Sequence, residues 1–195
     1  MIDLEDYPIF KEHMFTLKEA SKDDGDSENI KYMTMSEYRV IDFDRVKNVY
    51  VARCINAPES KEDTISSVDA LFQCSGIVQF IEFKNGEIKP HVKHNIKHKI
   101  SDSLLLFTDI TDLQIKNTRE MADFILVYNE TKNVEGHNLV SRSSSKDEIA
   151  DYFIKKAGKN YVRFGLEKYQ GVYFRKVKTL TENEFNDFLQ TLVLD

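Results

Sequence analysis

The stretch VDALFQCSGIVQFIEFKNG, residues 68–86, constrains the fold more than any other part of the sequence. Two runs of aliphatic and aromatic residues flank Cys-Ser-Gly, and this pattern predicts two β-strands joined by a tight turn. Both strands nevertheless carry charge, because Asp69 lies in the first and Glu82 and Lys84 lie in the second. Charged side chains rarely occupy buried positions without a partner, so these three positions need an explanation.

The turn determines which residues of the hairpin face each other. With the turn centred on 75–76, Phe72 lies opposite Gln79 and Asp69 lies opposite Glu82. Because side chains alternate along a strand, the hairpin has one charged face and one apolar face that is expected to pack on the core. The charged face holds Asp69, Leu71, Val78, Phe80, Glu82 and Lys84, and the apolar face holds Val68, Ala70, Phe72, Ile81 and Phe83.

Two opposed carboxylates raise the question of what holds them together. Directly opposed Cβ atoms lie roughly 4.5–5.5 Å apart, and like charges at that separation are destabilising. A divalent cation such as Mg²⁺, which one or two carboxylates commonly hold, would remove the repulsion. Lys84 points to the same side and could then hold an attacking water or stabilise charge on a phosphate. The alternative is that Asp69 and Glu82 lie in solvent, with Lys84 as a surface ion-pair partner.

Asp69 and the sequence IEFK at 81–84 resemble the metal-binding aspartate and the (D/E)XK element of the PD-(D/E)XK nuclease superfamily. The order of a strand, a tight turn, a strand, a helix and the FILVY strand at 124–128 is also similar to that superfamily, and more narrowly to a group of its small bacterial members. The resemblance covers 68–130. It implies one domain over 1–195 with an α/β, restriction-endonuclease-like fold, in which a mixed sheet has flanking helices and a C-terminal strand-helix extension.

The resemblance also implies a function and a site. The function is hydrolysis of nucleic-acid phosphodiester bonds with Mg²⁺ or Mn²⁺. Asp69, Glu82 and the Phe83 carbonyl would bind the metal, and Lys84 would serve the attacking water, so that Asp69, Glu82 and Lys84 form the catalytic set. Members of the superfamily often add an upstream glutamate, for which the candidates here are Glu12, Glu19 and Glu37.

A helix is predicted to follow the hairpin, from Pro90 to about Phe107. Lys99 and Ser103 lie one turn apart on its flank, and in the superfamily this helix packs beside the active-site strands. Both residues are therefore candidates for contact with substrate or water. The alternative places Ser103 in the core and Lys99 on the surface.

Three histidines on the same helix, at i, i+3 and i+7, cluster opposite its apolar face. They are interpreted first as a solvated basic face, then as phosphate contacts through His94 and His98, and only third as a zinc site.

The net charge of −6 argues against a general nucleic-acid binder, so the distribution of charge matters more. Bases dominate two segments, 84–99 and 155–178. We expect at least one of them to form a positive rim around the Asp69/Glu82/Lys84 cluster, with Arg175 and Lys176 as further candidates for phosphate binding. Ordinary solvated surface lysines are the alternative.

The remaining patterns predict the other elements. Helical spacing indicates a helix near 8–20, and 38–43 alternates like a strand, whereas 46–55 fits either a strand or a buried helix. Two capping-box patterns, at Ser145–Glu148 and Thr181–Glu184, predict helices that follow them, and 171–180 is typical of a strand.

Several classes of protein are disfavoured by what the sequence lacks. It has no glycine-rich phosphate loop, no nucleophile elbow and no Cys-x-x-Cys motif, and its apolar runs are too short to span a bilayer. With two cysteines and no signal-peptide pattern, a cytoplasmic location without membrane association is expected.

Two functions therefore remain. The Asp/Glu/Lys set favours the nuclease, and the acidic net charge favours a non-catalytic module of the same fold that binds a protein partner or regulates another factor.

Overall fold

The computed structural model describes residues 2–23, 30–56, 65–133 and 162–192. The described residues form a six-stranded sheet, a separate two-stranded sheet and six α-helices. The strands are β1 Met14–Thr16, β2 Lys22–Asp23, β3 Lys31–Tyr32, β4 Arg39–Asp42, β5 Ala70–Cys74, β6 Ile77–Lys84, β7 Ala122–Tyr128 and β8 Lys176–Thr181. The helices are α1 Pro8–Lys11, α2 Leu17–Ala20, α3 Phe43–Ile55, α4 Pro90–Thr111, α5 Ile115–Met121 and α6 Glu182–Thr191.

The large sheet is mixed, with the strand order β1-β4-β5-β6-β7-β8. In this order β1, β4, β5 and β6 pair antiparallel with their neighbours, whereas β6, β7 and β8 pair parallel. The parallel connection from β6 to β7 runs through α4 and α5, as a crossover requires. The prediction of a mixed α/β sheet with flanking helices is confirmed at this level. The strand β8 is a member of the sheet itself and is followed by α6.

The β5–β6 hairpin has the predicted register. Ser75 and Gly76 both have positive φ, 48° and 75°, which is the backbone of the two-residue turn that matches strand twist. Phe72 pairs with Gln79, and the pairing continues back to Ala70 opposite Ile81. Asp69, one residue before β5, therefore falls beside Glu82.

Both faces of the sheet are buried, which corrects the expectation that the hairpin packs through one face only. Phe80 lies in a core with α1, α3 and α4, whereas Ile81 lies in a second core with α2 and α6. Val68 was placed with Ala70 on the apolar face, but it packs in the core of Phe80. The chain bends at Asp69, just before β5 begins, so the alternation of the strand does not extend back to Val68.

The single helix predicted near 8–20 is wrong. The chain forms α1, then β1, then α2, because its apolar residues serve opposite sides of the sheet. Phe10 packs in the core of Phe80, and Leu17 packs in the second core. One continuous helix packed on one face of the sheet could not bury Phe10 and Leu17 in cores on opposite sides. The chain instead crosses as β1, where Phe15 pairs with Val40 of β4.

The ambiguous segment at 46–55 is helical. Asp42 caps α3 through its side chain, which accepts a hydrogen bond from the Arg45 amide at 2.8 Å, and Asn56 ends the helix in the left-handed conformation. The strand predicted at 38–43 is β4. The helix predicted from Pro90 begins there and continues four residues beyond Phe107, to Thr111.

The C-terminal helix begins at the capping box that the sequence predicted. The side chains of Thr181 and Glu184 form the reciprocal capping box that begins α6. The strand predicted over 171–180 begins later in the structure, where β8 covers Lys176–Thr181 and pairs with β7. The helix predicted after Ser145 lies outside the described residues.

Phe80 is the aromatic centre of the larger core. It is fully buried, and its ring centroid lies within 6.3 Å of those of Phe43, Phe107 and Phe174. Because truncation would leave a cavity that three rings cannot fill, we expect Phe80→Ala to lower the free energy of unfolding by about 3–5 kcal/mol. Urea unfolding measures this. Leu105→Ala, at an exposed position of α4, should change stability by only about 0.5 kcal/mol or less, and equal effects would contradict this assignment.

Candidate functional site

Four charged side chains meet where β6 ends. Asp69 comes directly before β5, Glu82 and Lys84 lie two residues apart on β6, and Lys99 reaches them from α4. Their meeting depends on the hairpin register and on the packing of α4 over this face of the sheet. The structure therefore brings together the three residues of the predicted catalytic set and adds Lys99 to them.

Lys99 bridges the two carboxylates. Its Nζ lies 3.0 Å from Oδ1 of Asp69 and 2.9 Å from the carboxylate oxygens of Glu82. Among the described residues Lys84 forms an ion pair with Glu82, with 2.6 Å between the Lys84 Nζ and the Glu82 Oε1. The other oxygen of Asp69 accepts a hydrogen bond from the Phe83 amide at 2.7 Å. Two acids and two bases thus form one compact cluster.

Burial governs the electrostatics of this cluster. The Glu82 side chain is completely buried, whereas those of Asp69, Lys84 and Lys99 are 22–26% exposed. Burial raises the pKa of Glu82, the Asp69 charge raises it further, and the two lysines oppose both effects. Burial alone would lower the pKa of Lys99, but attraction to Glu82 and Asp69 outweighs it, so this pKa is raised.

The segment before Asp69 is fixed to two helices. The amide of Ser66 donates to Asp102 at 2.9 Å, and the amide of Val68 donates to Oγ of Ser103 at 2.8 Å. Ser67 donates its hydroxyl to Asp44 of α3 at 2.6 Å. Ser103 is completely buried and anchors the residue next to Asp69, so it supports the site through the backbone.

An amide network fixes the loop after β6. Asn85 donates to Asp23 of β2 at 2.6 Å, and Asn129 donates to Asn85 at 2.8 Å. Asn133 accepts a hydrogen bond from the Ile88 amide and donates to the carbonyl oxygen of Asn129. These bonds tie the ends of β6 and β7 to the two-stranded sheet, so the backbone beside Lys84 has a defined position.

A cleft of about 290 Å³ opens at this end of β6. Its walls include Asp69, Lys84, Asn85, Lys22 and Asp23. A volume of this size is near the lower limit for small-molecule sites. The side chains of Asp69 and Lys84 are about a quarter exposed, whereas that of Glu82 is completely buried and is not part of the cleft wall.

The described part of the chain contains no group of three or more His, Cys, Asp or Glu side chains arranged to hold a metal ion. The site nevertheless offers the minimum for Mg²⁺, which is commonly held by one or two carboxylates, with water and substrate oxygens completing its shell. The Phe83 carbonyl lies on the same strand edge as its amide, which faces Asp69. The two carboxylates and the Phe83 carbonyl are oxygen ligands of the kind that Mg²⁺ takes, so the chemistry of these groups is compatible with the implied metal.

The upstream glutamates are not brought into contact with this cluster. Glu37 is exposed and lies 3.9 Å from Lys18, and Glu12 and Glu19 are exposed as well. The acid from an upstream helix that lies near the cluster is Asp44. Burial raises its pKa, but hydrogen bonds from Ser67 and Lys47, together with the Lys99 charge, lower it more.

His94 and His98 lie on the exposed side of α4, and their Nε2 atoms are 2.8 Å apart. Their side chains face solvent, which both the solvated-face and the phosphate-contact interpretations expect.

Arg175 and Lys176 lie at the other end of the sheet from the cluster. Arg175 donates two hydrogen bonds to the buried carboxylate of Asp123, at 3.0 and 2.9 Å. Asp123 lies in register with Gln79, three residues before Glu82, and its side chain is on the opposite face of the sheet. Arg175 therefore compensates a buried acid, and among the described residues of the two basic segments Lys84 and Lys99, both of the first segment, lie in the cluster. Lys155, Lys156 and Lys159 lie outside the described residues.

Sequence reasoning missed Asp23, Asp44, Asn85 and Asn129. One signal for the two asparagines was present, because each directly follows a strand. Where neighbouring strands are parallel, their carboxyl ends meet at one edge, which is where α/β proteins usually bind ligands. The contributions of Asp23 and Asp44 depend on long-range packing and had no comparable local signal.

No protein-family model, curated protein or solved structure matches the chain.

Within the described ranges, the structure has no helix that is long and apolar enough to cross a membrane.

Ser103→Ala tests how much the hydrogen bond from the Val68 amide to Ser103, next to Asp69, contributes to stability. Because the change leaves the buried Val68 amide without its acceptor, we expect the free energy of unfolding to fall by about 1–3 kcal/mol. Chemical denaturation measures the loss. Ser101→Ala is the matched control, since the Ser101 hydroxyl is exposed and bonds only to its own helix. Equal stability of the two variants would show that the Val68 contact is unimportant.

Arg175→Leu separates a structural role from phosphate binding. The change removes two charged hydrogen bonds from buried Asp123, so we expect a loss of about 1.5–3 kcal/mol in the free energy of unfolding. Lys176→Ala, at the neighbouring exposed position, should leave stability almost unchanged. If Arg175→Leu kept full stability and weakened binding to nucleic acid instead, the phosphate-binding interpretation would be preferred.

Proposed function

We propose that this protein is a metal-dependent nuclease of the PD-(D/E)XK type that hydrolyses phosphodiester bonds with Mg²⁺ or Mn²⁺. The observation that carries the proposal is the convergence of Asp69, Glu82 and Lys84 beside a solvent-accessible cleft. Surface ion pairs alone would not account for this arrangement, because Glu82 is completely buried. Burial of a carboxylate beside a second acid is costly, and carboxylates with pKa values perturbed in this way cluster at functional sites.

The topology supports the same proposal. The antiparallel β5–β6 hairpin, the α4 crossover and the parallel strand β7 occur in the order that the sequence resemblance implies. One acid of the cluster directly precedes β5, the other lies on β6, and Lys99 of α4 contacts both. This agreement concerns the order of elements and the position of the site within them.

Each residue of the cluster has a chemical role in the proposal. Asp69, Glu82 and the Phe83 carbonyl would hold the metal, which would supply Lewis-acid polarisation of the phosphate and a lowered pKa for a nearby water. Lys84, with three donors and no acceptor, orients the attacking water or stabilises negative charge on the phosphate. Glu82 keeps the Lys84 ammonium in place at 2.6 Å.

A second function is favoured by one specific observation. The four charges already compensate one another through the contacts of Lys99 and Lys84, so the cluster is a complete structural unit without a metal. A non-catalytic module that binds a protein partner would need nothing more. This function predicts no cleavage, and no change in melting temperature with Mg²⁺ or Mn²⁺.

The experiment that tests the nuclease is cleavage of single-stranded DNA, double-stranded DNA and RNA with Mg²⁺ or Mn²⁺. We expect Lys84→Met to lower the rate about 10²–10³-fold, as removal of one preorganised donor typically does. Lys89→Met is the matched control, because Lys89 is more than half exposed and pairs with Glu87 instead. It should cleave at the wild-type rate.

Thermal melting of each variant shows that loss of activity is not loss of fold. Cleavage that persists in Lys84→Met would indicate a contaminating nuclease. A folded wild-type protein that cleaves none of the three substrates with either metal would contradict the proposal and favour the non-catalytic module.

A further inference from the structure

The position of Lys99 differs from that of Lys84 in one respect. Lys84 contacts one carboxylate, whereas the Lys99 ammonium lies between two, within 3.0 Å of Asp69 and 2.9 Å of Glu82. These are the same two groups that the proposed metal requires. An ammonium and a divalent cation cannot both occupy the space between them.

The charges of the cluster make it unfavourable for Lys99 and a metal ion to be bound there together. Two carboxylates face two ammonium groups, so the cluster is balanced while Lys99 stays in place. A divalent cation that enters beside Lys99 would meet no net attraction, and the two cations would repel each other at close range. If Lys99 moves out, the cation meets two carboxylates opposed by Lys84 alone.

We propose that Lys99 occupies the cation position of the metal-free protein and must leave it when the metal binds. This inference rests on the proposed function, and it adds that metal binding and Lys99 displacement are coupled. The Lys99 side chain is 22% exposed, so its end can move toward solvent. Since the bound metal adds its full charge to a balanced cluster, the released ammonium would lie beside an electropositive site suited to a phosphodiester.

Lys99 therefore has two effects. Without metal it offsets the repulsion between Asp69 and the buried Glu82, and so it stabilises the fold. With metal present it lowers the apparent affinity, because its ion pairs must break first. Removal of its charge should move these two quantities in opposite directions, which a purely structural lysine would not do.

The first experiment measures Mn²⁺ binding by isothermal titration calorimetry in wild type and in Lys99→Met. We expect the variant to bind Mn²⁺ about tenfold or more tightly. In EDTA its melting temperature should lie below that of wild type, and the increase in melting temperature with Mn²⁺ should be larger. Lys97→Met is the matched control, since it removes the same charge from the same helix two residues away, on another side. It should behave as wild type does.

The outcomes separate this inference from the proposed function. Equal or weaker Mn²⁺ binding by Lys99→Met overturns the competition, and if wild type still cleaves nucleic acid, the nuclease proposal stands. Absence of Mn²⁺ binding in both proteins overturns the competition together with the metal site. Tighter binding in Lys99→Met but not in Lys97→Met supports the inference.

A second experiment uses wild type alone and does not depend on the folding of a variant. Lysine acylation followed by mass spectrometry reports how freely each ammonium exchanges its proton and meets the reagent. Saturating Mn²⁺ should raise the labelling rate of Lys99 several-fold and leave that of Lys97 unchanged. A Lys99 labelling rate that stays constant, or falls, at saturating Mn²⁺ overturns the displacement.

Discussion

The buried carboxylate of Glu82 is the group on which the arrangement of this end of the molecule depends. An ionised carboxylate removed from water without partners destabilises a fold by several kcal/mol, so the chain must bring positive charge to it. Lys84 and Lys99 do so from the same strand and from α4. Lys99 can reach both acids because α4 packs over β6 through apolar residues such as Ile96 and Ile100.

The sheet explains how such a group can be buried at all. β6 is a central strand that pairs antiparallel with β5 and parallel with β7, and helices cover both of its faces. A hairpin with one solvated face would have left Glu82 and Asp69 in water, where their repulsion is screened. Because both faces are covered, the charged positions become a compact, largely buried cluster, with the cleft beside Asp69 and Lys84.

Much of the hairpin could be predicted from the sequence, because its determinants are local. The Ser75–Gly76 turn sets the register, and alternation then sets which side chains are neighbours. The Thr181–Glu184 capping box is equally local, and it begins α6 as predicted. The segment at 8–20 shows the limit. Its apolar spacing fits a helix, yet the pairing of Phe15 with Val40 replaces that helix by a strand, since Phe10 and Leu17 pack on opposite sides of the sheet.

For the candidate site, the sequence by itself determined that Asp69, Glu82 and Lys84 would share one side of a hairpin. Short-range geometry is sufficient for that, because a two-residue turn leaves no freedom of register. Only the tertiary structure decided that Glu82 is buried, that Lys99 bridges the two acids, and that Arg175 belongs to Asp123 instead of the site. These contacts join residues 17 to 52 positions apart, and their formation depends on how helices and strands pack in three dimensions. No local pattern encodes that packing.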